Sequence, residues 1–596
     1  MIKRFLPLII SAIVFVPMLF VHSCANTTQA PTGGDKDTIP PFIIGINPLP
    51  GAVNVPVNGA KIVFRFDEYV TIKNQKNIFL SPPLEKAPKA RIRDKFLIVT
   101  FESPLDSNTT YTLNMTDALA DNNEGNMFPG YTYVFSTGPD IDSLLLTGKV
   151  QDCNTLQPVK GATVLLYKDL SDSAVFLRRP CAAVKTDDWG YFCLPYLADT
   201  TYRLYAIKDE ADNNIYDPDT DLVGFVDSII RPVVRVVDTL PEMLKYDMTD
   251  TLMCEARRVD YKIRLFREKP SKQFLVNRAR TSDRAAYVTF QAPYVWIDSL
   301  WFRGYKSDQV ISQFNILQDS LELWINSRKP APDTLHLFVN YRKTDSLGRL
   351  QPTLEHLRLT MPEGKRVFQR IPRRSLKHED TVCTYKLEAK PETVEQNGFE
   401  LEFALPLIYE NFDSLRFRYL NPKQKEFKGS VTVERDTANL RKYIIRPTEK
   451  MLPGYEYFLK MPHRSFRDIN GFWSDSTEVK VTLPSDEKLS VLRAALTGVD
   501  RKIIVDLLDE KRKGVLRQYI IDKDCTLDFP YLKEGKYSLR VTDDGNRNSI
   551  VDTGSLLEHR QPESVLFVVF NGQDFIEIPA SAEVEQEIDI KALFTE

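Results

Sequence analysis

The sequence predicts an all-β fold, arranged as a tandem array of five antiparallel β-sandwich domains behind an N-terminal export signal. Short segments alternate apolar and polar residues and are rich in β-branched and aromatic side chains, as in residues 61–66, 96–101 and 111–115. This period of two is typical of half-buried strands. Sustained helical periodicity is hard to find, and two long parts of the chain repeat each other.

Composition places the chain among globular proteins. Of its 596 residues, 43% are hydrophobic and 27% are charged, which excludes wholesale disorder, collagen and a multi-span membrane protein. The 78 Lys and Arg residues nearly balance 81 Asp and Glu residues, for a net charge of -3. Because nucleic-acid binding needs a basic excess or a basic stripe, no nucleic-acid partner is expected.

The first 23 residues have the pattern of a secretory signal peptide. Lys3 and Arg4 form a basic start, an apolar stretch covers residues 5–21, and Ser23 precedes Cys24. A basic region, an apolar region and a small residue before the cleavage point define such a signal. The stretch is shorter than the ~20 residues that span a bilayer, so a retained transmembrane helix is the weaker alternative.

Residues 21–24, Val-His-Ser-Cys, resemble a relaxed lipobox, at which bacterial lipoproteins are cleaved and acylated. The resemblance implies lipidation of Cys24, a lipidated tether over residues 24–39, and a membrane as partner through the N-terminal lipid. The residue after Cys24 is Ala25 and not an aspartate, and an aspartate at this position would resemble an inner-membrane retention signal. The outer membrane is therefore favoured. Residues 25–29 lack the acidic cluster that resembles a surface-export tag, so the periplasmic face is slightly favoured over the cell surface.

Comparison of the chain with itself reveals two modules that occur twice in the same order. Residues 194–204 align without gaps on residues 529–539, and the match continues through the next loop. Farther upstream, residues 111–113 align on residues 457–459. Together with a central stretch, the repeats predict five domains, at residues 40–138, 139–249, 250–366, 367–486 and 487–596.

The first domain has a distinctive set of segments at its opening and its close. They are Pro40-Pro41, Asn47-Pro48, Gly51-Ala52, residues 55–59 and 64–68, Val70, Leu105, Asn108, Tyr111, and residues 122–126 and 135–137. These segments resemble the bacterial Ig-like domain known from surface-layer and other envelope proteins. The resemblance implies an Ig-like β-sandwich, with a second, more divergent Ig-like copy in domain four.

The second domain has its own set of distinctive segments, at residues 148–150, Asp152, 158–164, Thr186-Asp187, 190–192 and Leu194-Pro195. These segments resemble the carboxypeptidase regulatory-like, transthyretin-type β-sandwich, which is a non-catalytic companion domain in its family. The second copy, in domain five, departs from the pattern in its first half. The central stretch is expected to be a third kind of sandwich.

An acidic loop in domain two is the candidate metal site. Residues 209–221 contain five aspartates and two asparagines, and closely spaced oxygen ligands are what Ca²⁺ requires. The alternative is a turn-rich connection whose Asp and Asn side chains bond the local backbone. No other cofactor is predicted. The candidate calcium ligands are Asp209, Asp212, Asn214, Asp217, Asp219 and Asp221.

No set of catalytic residues is visible. The chain has no G-x-S-x-G, no Walker loop, no dinucleotide fingerprint and no H-E-x-x-H motif. His336 and His356 lie in different predicted strands, where they can pair. The six cysteines other than Cys24 are scattered thinly; one disulfide within domain two and buried free thiols both remain open.

Asp-Ser/Thr followed by Ala, Ile, Leu, Val, Met or Thr recurs far more often than average composition supplies. This tripeptide resembles the O-glycosylation acceptor of one group of Gram-negative bacteria. It also suits a turn that leads into a strand, and the two interpretations are compatible. It begins at Asp37, Asp142, Asp172, Asp199, Asp227, Asp238, Asp250, Asp298, Asp319, Asp333, Asp345, Asp380, Asp413, Asp436 and Asp475.

These features predict a non-catalytic outer-membrane lipoprotein that serves as a multi-domain binding or scaffold protein of the cell envelope. Its partner is expected to be an envelope protein or glycan, reached through loops and sheet edges. The alternative is an accessory subunit or a hydrolase of envelope glycan processing with a calcium-dependent acidic loop. The oligomeric state does not follow from the sequence.

Overall fold

A computed structural model of the protein describes residues 37–211, 213–235, 259–327, 329–361, 382–484 and 489–595. Over these ranges the chain is built almost entirely of antiparallel strands, which confirms the all-β prediction. The predicted signal peptide and Cys24 lie outside the described residues. Within the described ranges no helix combines the length and apolar character of a membrane span.

The first module packs a four-stranded sheet, β1-β2-β6-β5, against the three-stranded sheet β4-β7-β9, with the short pair β3-β8 beside them. Its core is rich in aromatic rings, including Phe64, Phe66, Tyr111 and Tyr133. A 3₁₀ turn covers Gln75–Asn77. Its strands are β1 (Ile43–Asn47), β2 (Lys61–Phe66), β3 (Val70–Ile72), β4 (Phe79–Ser81), β5 (Lys89–Arg93), β6 (Phe96–Thr100), β7 (Thr110–Asn114), β8 (Leu119–Asp121) and β9 (Thr132–Ser136).

The second module packs the sheet β12-β11-β14-β15 against a sheet centred on β10, which pairs with β13, β16 and β17. A single helical turn, α1 (Ala174–Leu177), precedes β12. The strands are β10 (Leu144–Asp152), β11 (Thr163–Tyr167), β12 (Ala182–Lys185), β13 (Tyr191–Leu197), β14 (Arg203–Lys208), β15 (Leu222–Phe225), β16 (Val234–Arg235) and β17 (Tyr261–Leu265).

Strand β17, which falls within the predicted third domain at residues 250–366, runs parallel to β10 of the second module. Two glycines let it approach. A Cβ added to Gly148 would lie 2.4 Å from the carbonyl oxygen of Tyr261, and one added to Gly224 would lie 2.5 Å from that of Arg264. Alternation identifies a strand but not its partner, so the sequence alone did not place β17.

The third module consists of the sheets β18-β19-β22-β21 and β20-β23-β24, which enclose an aliphatic core around Val288, Leu323 and Leu337. A 3₁₀ turn covers Ser307–Gln309. The strands are β18 (Leu275–Ser282), β19 (Ala285–Phe290), β20 (Ile297–Phe302), β21 (Val310–Phe314), β22 (Ser320–Ile325), β23 (Thr334–Thr344) and β24 (Leu350–Thr360).

The fourth module repeats the topology of the first. Its sheet β25-β26-β31-β30 corresponds to β1-β2-β6-β5, and its pair β27-β33 corresponds to β3-β8. Short helical turns are α2 (Val394–Asn397) and Phe412–Ser414. The strands are β25 (Tyr385–Glu388), β26 (Phe399–Phe403), β27 (Leu407–Glu410), β28 (Arg416–Leu420), β29 (Glu426–Gly429), β30 (Val431–Arg435), β31 (Lys442–Pro447), β32 (Glu456–Met461), β33 (Phe466–Asp468) and β34 (Thr477–Thr482).

The fifth module repeats the second, including a parallel pair, β35 with β42. Equivalent strands β13 and β38 both shift register, and Tyr196 and Tyr531 both have a positive φ there. The module ends in α3 (Ile590–Leu593). Its strands are β35 (Ser490–Thr497), β36 (Ile503–Leu508), β37 (Val515–Ile521), β38 (Cys525–Leu532), β39 (Gly535–Asp543), β40 (Val565–Phe567), β41 (Ile576–Ile578) and β42 (Glu583–Asp589).

The modules do not form an open string, because the fifth packs against the second. Leu556 of the fifth module and Phe266, just after β17, are buried in one apolar cluster with Tyr167, Tyr205 and Phe225 of the second. The second, third, fourth and fifth modules therefore form a closed circuit, from which the first module extends.

The third and fourth modules, and the fourth and fifth, also contact each other through polar or apolar side chains. Arg441 of the fourth module donates to Glu322 of the third at 2.7 Å, beside an apolar cluster formed by Ala285, Trp324 and Ile469. Between the fourth and fifth modules, the Tyr531 hydroxyl donates to Glu395 at 2.8 Å. Outside the circuit, the Ala183 amide of the second module donates to Ser81 of the first.

The segment just after β17 fastens the second module to the fifth. The carboxylate of Glu268 accepts from the Tyr216 hydroxyl of the second module at 2.7 Å and from the Leu556 amide of the fifth at 2.6 Å. Lys269 forms an ion pair at 2.6 Å with Asp552, whose side chain is only 8% exposed. We call residues 266–269 the clasp.

We expect the substitution Lys269→Ala to lower the free energy of unfolding by about 1–3 kcal/mol, because it leaves the nearly buried Asp552 carboxylate without its cation. The matched control is Lys272→Ala, which removes an exposed ion pair with Asp219 and should cost less than about 0.5 kcal/mol. Urea denaturation measures both. Equal losses for the two variants would contradict the role of the clasp.

Candidate functional site

The acidic loop of the second module is held together by its own backbone amides. Asp221, which is 1% exposed, accepts hydrogen bonds from the amides of Glu210 and Asp217 and from the Thr220 hydroxyl. Asp217 in turn accepts from the Asp219 amide at 3.0 Å. These bonds are the turn-forming contacts that Asp side chains commonly make.

One further hydrogen bond of the acidic loop recurs in the corresponding loop of the fifth module. Asp209 accepts from the amide of Asn214 at 2.7 Å, and its counterpart Asp544 accepts from the amide of Ser549 at 2.8 Å. Asn214 and Ser549 both have a positive φ. The first aspartate of each loop therefore fixes the same backbone turn, although the two loops differ in their other charges.

Calcium binding by the acidic loop stays a prediction. Among the described residues, no group of three or more His, Cys, Asp or Glu side chains is arranged to hold a metal ion. Asp212 lies outside the described residues. Asp219 is near Lys272, with 3.5 Å between carboxylate and ammonium, a neighbour that disfavours a cation at that carboxylate.

We expect Asp221→Ala to destabilise the protein by about 1–3 kcal/mol, since three donors lose a buried acceptor. Asp219→Ala, at an exposed position of the same loop, should change stability by less than about 0.5 kcal/mol. Thermal or urea unfolding measures the difference. A similar loss at both positions would show that the internal hydrogen bonds do not hold this loop.

Calcium titration tests the predicted ligand set directly. If the loop binds the ion, the melting temperature of the wild-type protein rises with calcium concentration, because a ligand that binds only the folded state stabilises it. The rise should be absent in the Asp212→Ala, Asp217→Ala double variant. An equal rise in that variant would assign the ion to another place.

The outer face of the sheet β20-β23-β24 carries a row of rings that sequence reasoning missed. Trp301, Phe338 and His356 are cross-strand neighbours on three adjacent strands. Their rings lie parallel within 5°, with centroids 5.2 Å and 4.4 Å apart. His336 stacks on His356 at 5.1 Å. We call these four residues the aromatic row.

Period-two alternation explains why the row faces outward. Leu335, Leu337 and Val339 of β23 are buried in the core of the third module, so His336 and Phe338 lie on the opposite face. Trp301 is 40% exposed, and His356 is exposed. The only available signal in the sequence was the pair of histidines, because their register was not known.

The aromatic row lies beside positively charged side chains. The guanidinium of Arg303 lies 5.5 Å from the Phe338 ring centroid, and Arg358 is paired in register with His336. Neither arginine forms an ion pair within the described part of the chain. Loss of solvent, together with Arg303, His356 and Arg358, lowers the pKa of His336.

The two histidines share one hydrogen bond. Nδ1 of His336 and Nε2 of His356 are 2.9 Å apart. One ring must donate and the other must accept, so at least one ring is neutral in this arrangement. The sequence left a pairing of these residues open, and the structure places them in contact. The neighbouring arginines make a metal ion at the pair unfavourable.

The remaining predicted sites are the cysteines and the Asp-Ser/Thr tripeptides. Cys24 and Cys254 are outside the described residues, while the other five cysteines are free thiols, so Cys181 and Cys193 are not joined. Burial raises the pKa of both thiols to about 11. Of the Asp-Ser/Thr tripeptides, those at Asp238, Asp250 and Asp380 fall outside the described ranges.

In the other tripeptides no described Ser or Thr is buried, and most are exposed. Several stand where a strand begins, such as Ser320 and Thr334, as the turn interpretation predicts. Glycosylation stays a prediction. The exposed hydroxyl residues are Thr38, Ser143, Ser173, Ser228, Ser299, Ser346, Thr437 and Ser476.

Comparison with known families identifies the first module. Residues 37–137 match the family described as bacterial Ig-like domain. The resemblance of the opening domain is thereby confirmed, and the fourth module shares the topology of this Ig-like module. No curated protein matches the sequence.

Solved structures that resemble the chain are remote. They include an S-layer protein, rSbsC, at 9% identity, covering 75% of this chain and 67% of the other, with a TM-score of 0.16. Another is the Bacteroides ovatus protein SGBP-B in complex with a mixed-linkage heptasaccharide, at 8% identity, covering 66% and 85%, with a TM-score of 0.17. Escherichia coli alpha-2-macroglobulin matches at 9% identity over 92% and 43%, with a TM-score of 0.13. TM-scores this low establish no shared arrangement of domains.

Proposed function

We propose that the protein is a non-catalytic outer-membrane lipoprotein that serves as a binding and scaffold protein of the cell envelope. The Ig-like match of residues 37–137 and the closed circuit of β-sandwich modules support a scaffold. The lipobox-like sequence that ends at Cys24 supports the anchor. The periplasmic face is favoured over the cell surface.

The observation that carries the binding role is the aromatic row. Exposed parallel rings are unusual on a solvated sheet face, and clustered exposed apolar groups mark interaction sites. Arg303 and Arg358 beside the row add positive charge, and no described residue forms an ion pair with either of them. Arginine recognises carboxylates by paired, charge-assisted hydrogen bonds.

An acidic glycan fits this combination best. Sugar rings offer C–H groups to aromatic side chains and hydroxyl groups to imidazole donors and acceptors, while uronic acids supply carboxylates for Arg303 and Arg358. A neutral glycan would leave both guanidinium groups without a counter-charge. We therefore propose that the aromatic row of the third module binds acidic envelope polysaccharide.

We expect Trp301→Ala combined with Phe338→Ala to weaken binding of a soluble polyuronate by roughly 2 kcal/mol, about thirtyfold. Isothermal titration calorimetry with polygalacturonate, and with dextran as the neutral probe, measures this. The matched control is Trp189→Ala, which removes a tryptophan that is 66% exposed on the second module. If all variants bind polyuronate with equal affinity, the aromatic row is not part of the binding site. If the protein captures an envelope protein and not polyuronate, the partner is a protein.

Substitution of Cys24 tests the proposed lipid anchor. We expect Cys24→Ala to abolish acylation, so that the protein leaves the membrane fraction and loses the mass of the acyl groups in intact-mass spectrometry. Several acyl chains are needed for stable attachment, at about 0.8 kcal/mol for each buried methylene. Retention of the variant in the outer membrane would contradict lipid anchoring through this residue.

A further inference from the structure

A cavity of about 360 Å³ lies between the second and fifth modules, away from the aromatic row. The second module contributes the end of β15, including Phe225 and Asp227, and strand β17 contributes Lys262 and Arg264. The fifth module closes the other side with Gln561 and Ser564. A volume of this size accommodates a small molecule rather than a chain segment.

Strand geometry directs two cations toward this cavity. Lys262 and Arg264 are two residues apart on β17 and so share one face of the strand. The alternate residues Ile263 and Leu265 are buried in the core of the second module. Both cationic side chains line the cavity, where their mutual repulsion is unfavourable unless an anion lies between them.

Arg264 is a half-buried charge that the protein itself does not neutralise. Within the described residues its guanidinium forms no ion pair or hydrogen bond, and burial lowers its pKa. In contrast, the guanidinium of Arg540, which is also largely buried, contacts the carboxylate of Asp506 at 2.7 Å. Burying a cation without a partner is costly.

Among the described lining residues, Asp227 supplies the only carboxylate. It accepts a hydrogen bond at 3.0 Å from the side-chain amide of Gln561, which also donates to the carbonyl oxygen of Phe225 at 3.1 Å. This contact joins the two modules beside the cavity. The described lining thus has two cations that form no ion pair with described residues, against one carboxylate.

We propose that this cavity binds a small anion with a carboxylate or phosphate group, held between Lys262 and Arg264. The ligand bridges the second and fifth modules because the walls come from both. Its binding therefore stabilises the closed circuit as well as neutralising Arg264. This site is independent of the proposed glycan surface on the third module.

Thermal melting of the full chain with sodium phosphate or sodium acetate, against sodium chloride at equal ionic strength, tests the proposal. The melting temperature should rise with the concentration of at least one probe and not with chloride. Calorimetric titration should show affinity at least about tenfold weaker for Arg264→Gln, which loses a charge-assisted contact. Comparing the two probes shows whether phosphate or carboxylate is the preferred group.

The matched control is Arg91→Gln, an exposed arginine on β5 of the first module, which should bind like the wild-type protein. In anion-free buffer, Arg264→Gln should melt at the same or a higher temperature than wild type, because it removes an unneutralised charge. A lower temperature would show that Arg264 is already paired and would overturn the proposal, as would equal anion binding by wild type and Arg264→Gln.

Discussion

The burial of Phe266 and Leu556 in one apolar cluster is the contact on which the arrangement of the chain depends. Strand β17 brings Phe266 to the second module, and residues 552–556 bring Leu556 from the fifth. Without that shared cluster the second and fifth modules would lose their apolar contact, and polar contacts such as that between Gln561 and Asp227 would have to close the circuit alone. Glu268 and Lys269 add polar contacts around this cluster, so the junction has an apolar centre with charged side chains at its edge.

Much of the fold could be predicted because the hydrophobic pattern and the repeats agree. Alternation identified strands such as β2 and β6, and the aligned segments around Tyr196 and Tyr531 share even their backbone conformation. The partner of β17 could not be predicted, since alternation carries no information on pairing. The contact between the second and fifth modules was equally invisible, because it joins residues far apart in sequence.

The candidate sites were predicted less well, for a physical reason. Acidic loops suggest calcium, yet Asp209 and Asp221 accept bonds from amides of their own loop, and turn chemistry and metal chemistry use the same residues. The aromatic row depends on cross-strand register, which places Trp301, Phe338 and His356 side by side although they are distant in the chain. From the sequence, a contact between His336 and His356 was open but could not be predicted.

The closed circuit also changes how the molecule bears mechanical force. A pull between the first and third modules reaches the third module by two load paths, one through the covalent link after β17 and the other through the fifth and fourth modules. The hydrogen bond between Ser81 and Ala183, by contrast, lies beside the single covalent link between the first and second modules, and that one connection carries the whole load. Under tension the linkage of the first module to the second is therefore the weak point, while the circuit can lose one junction and still hold.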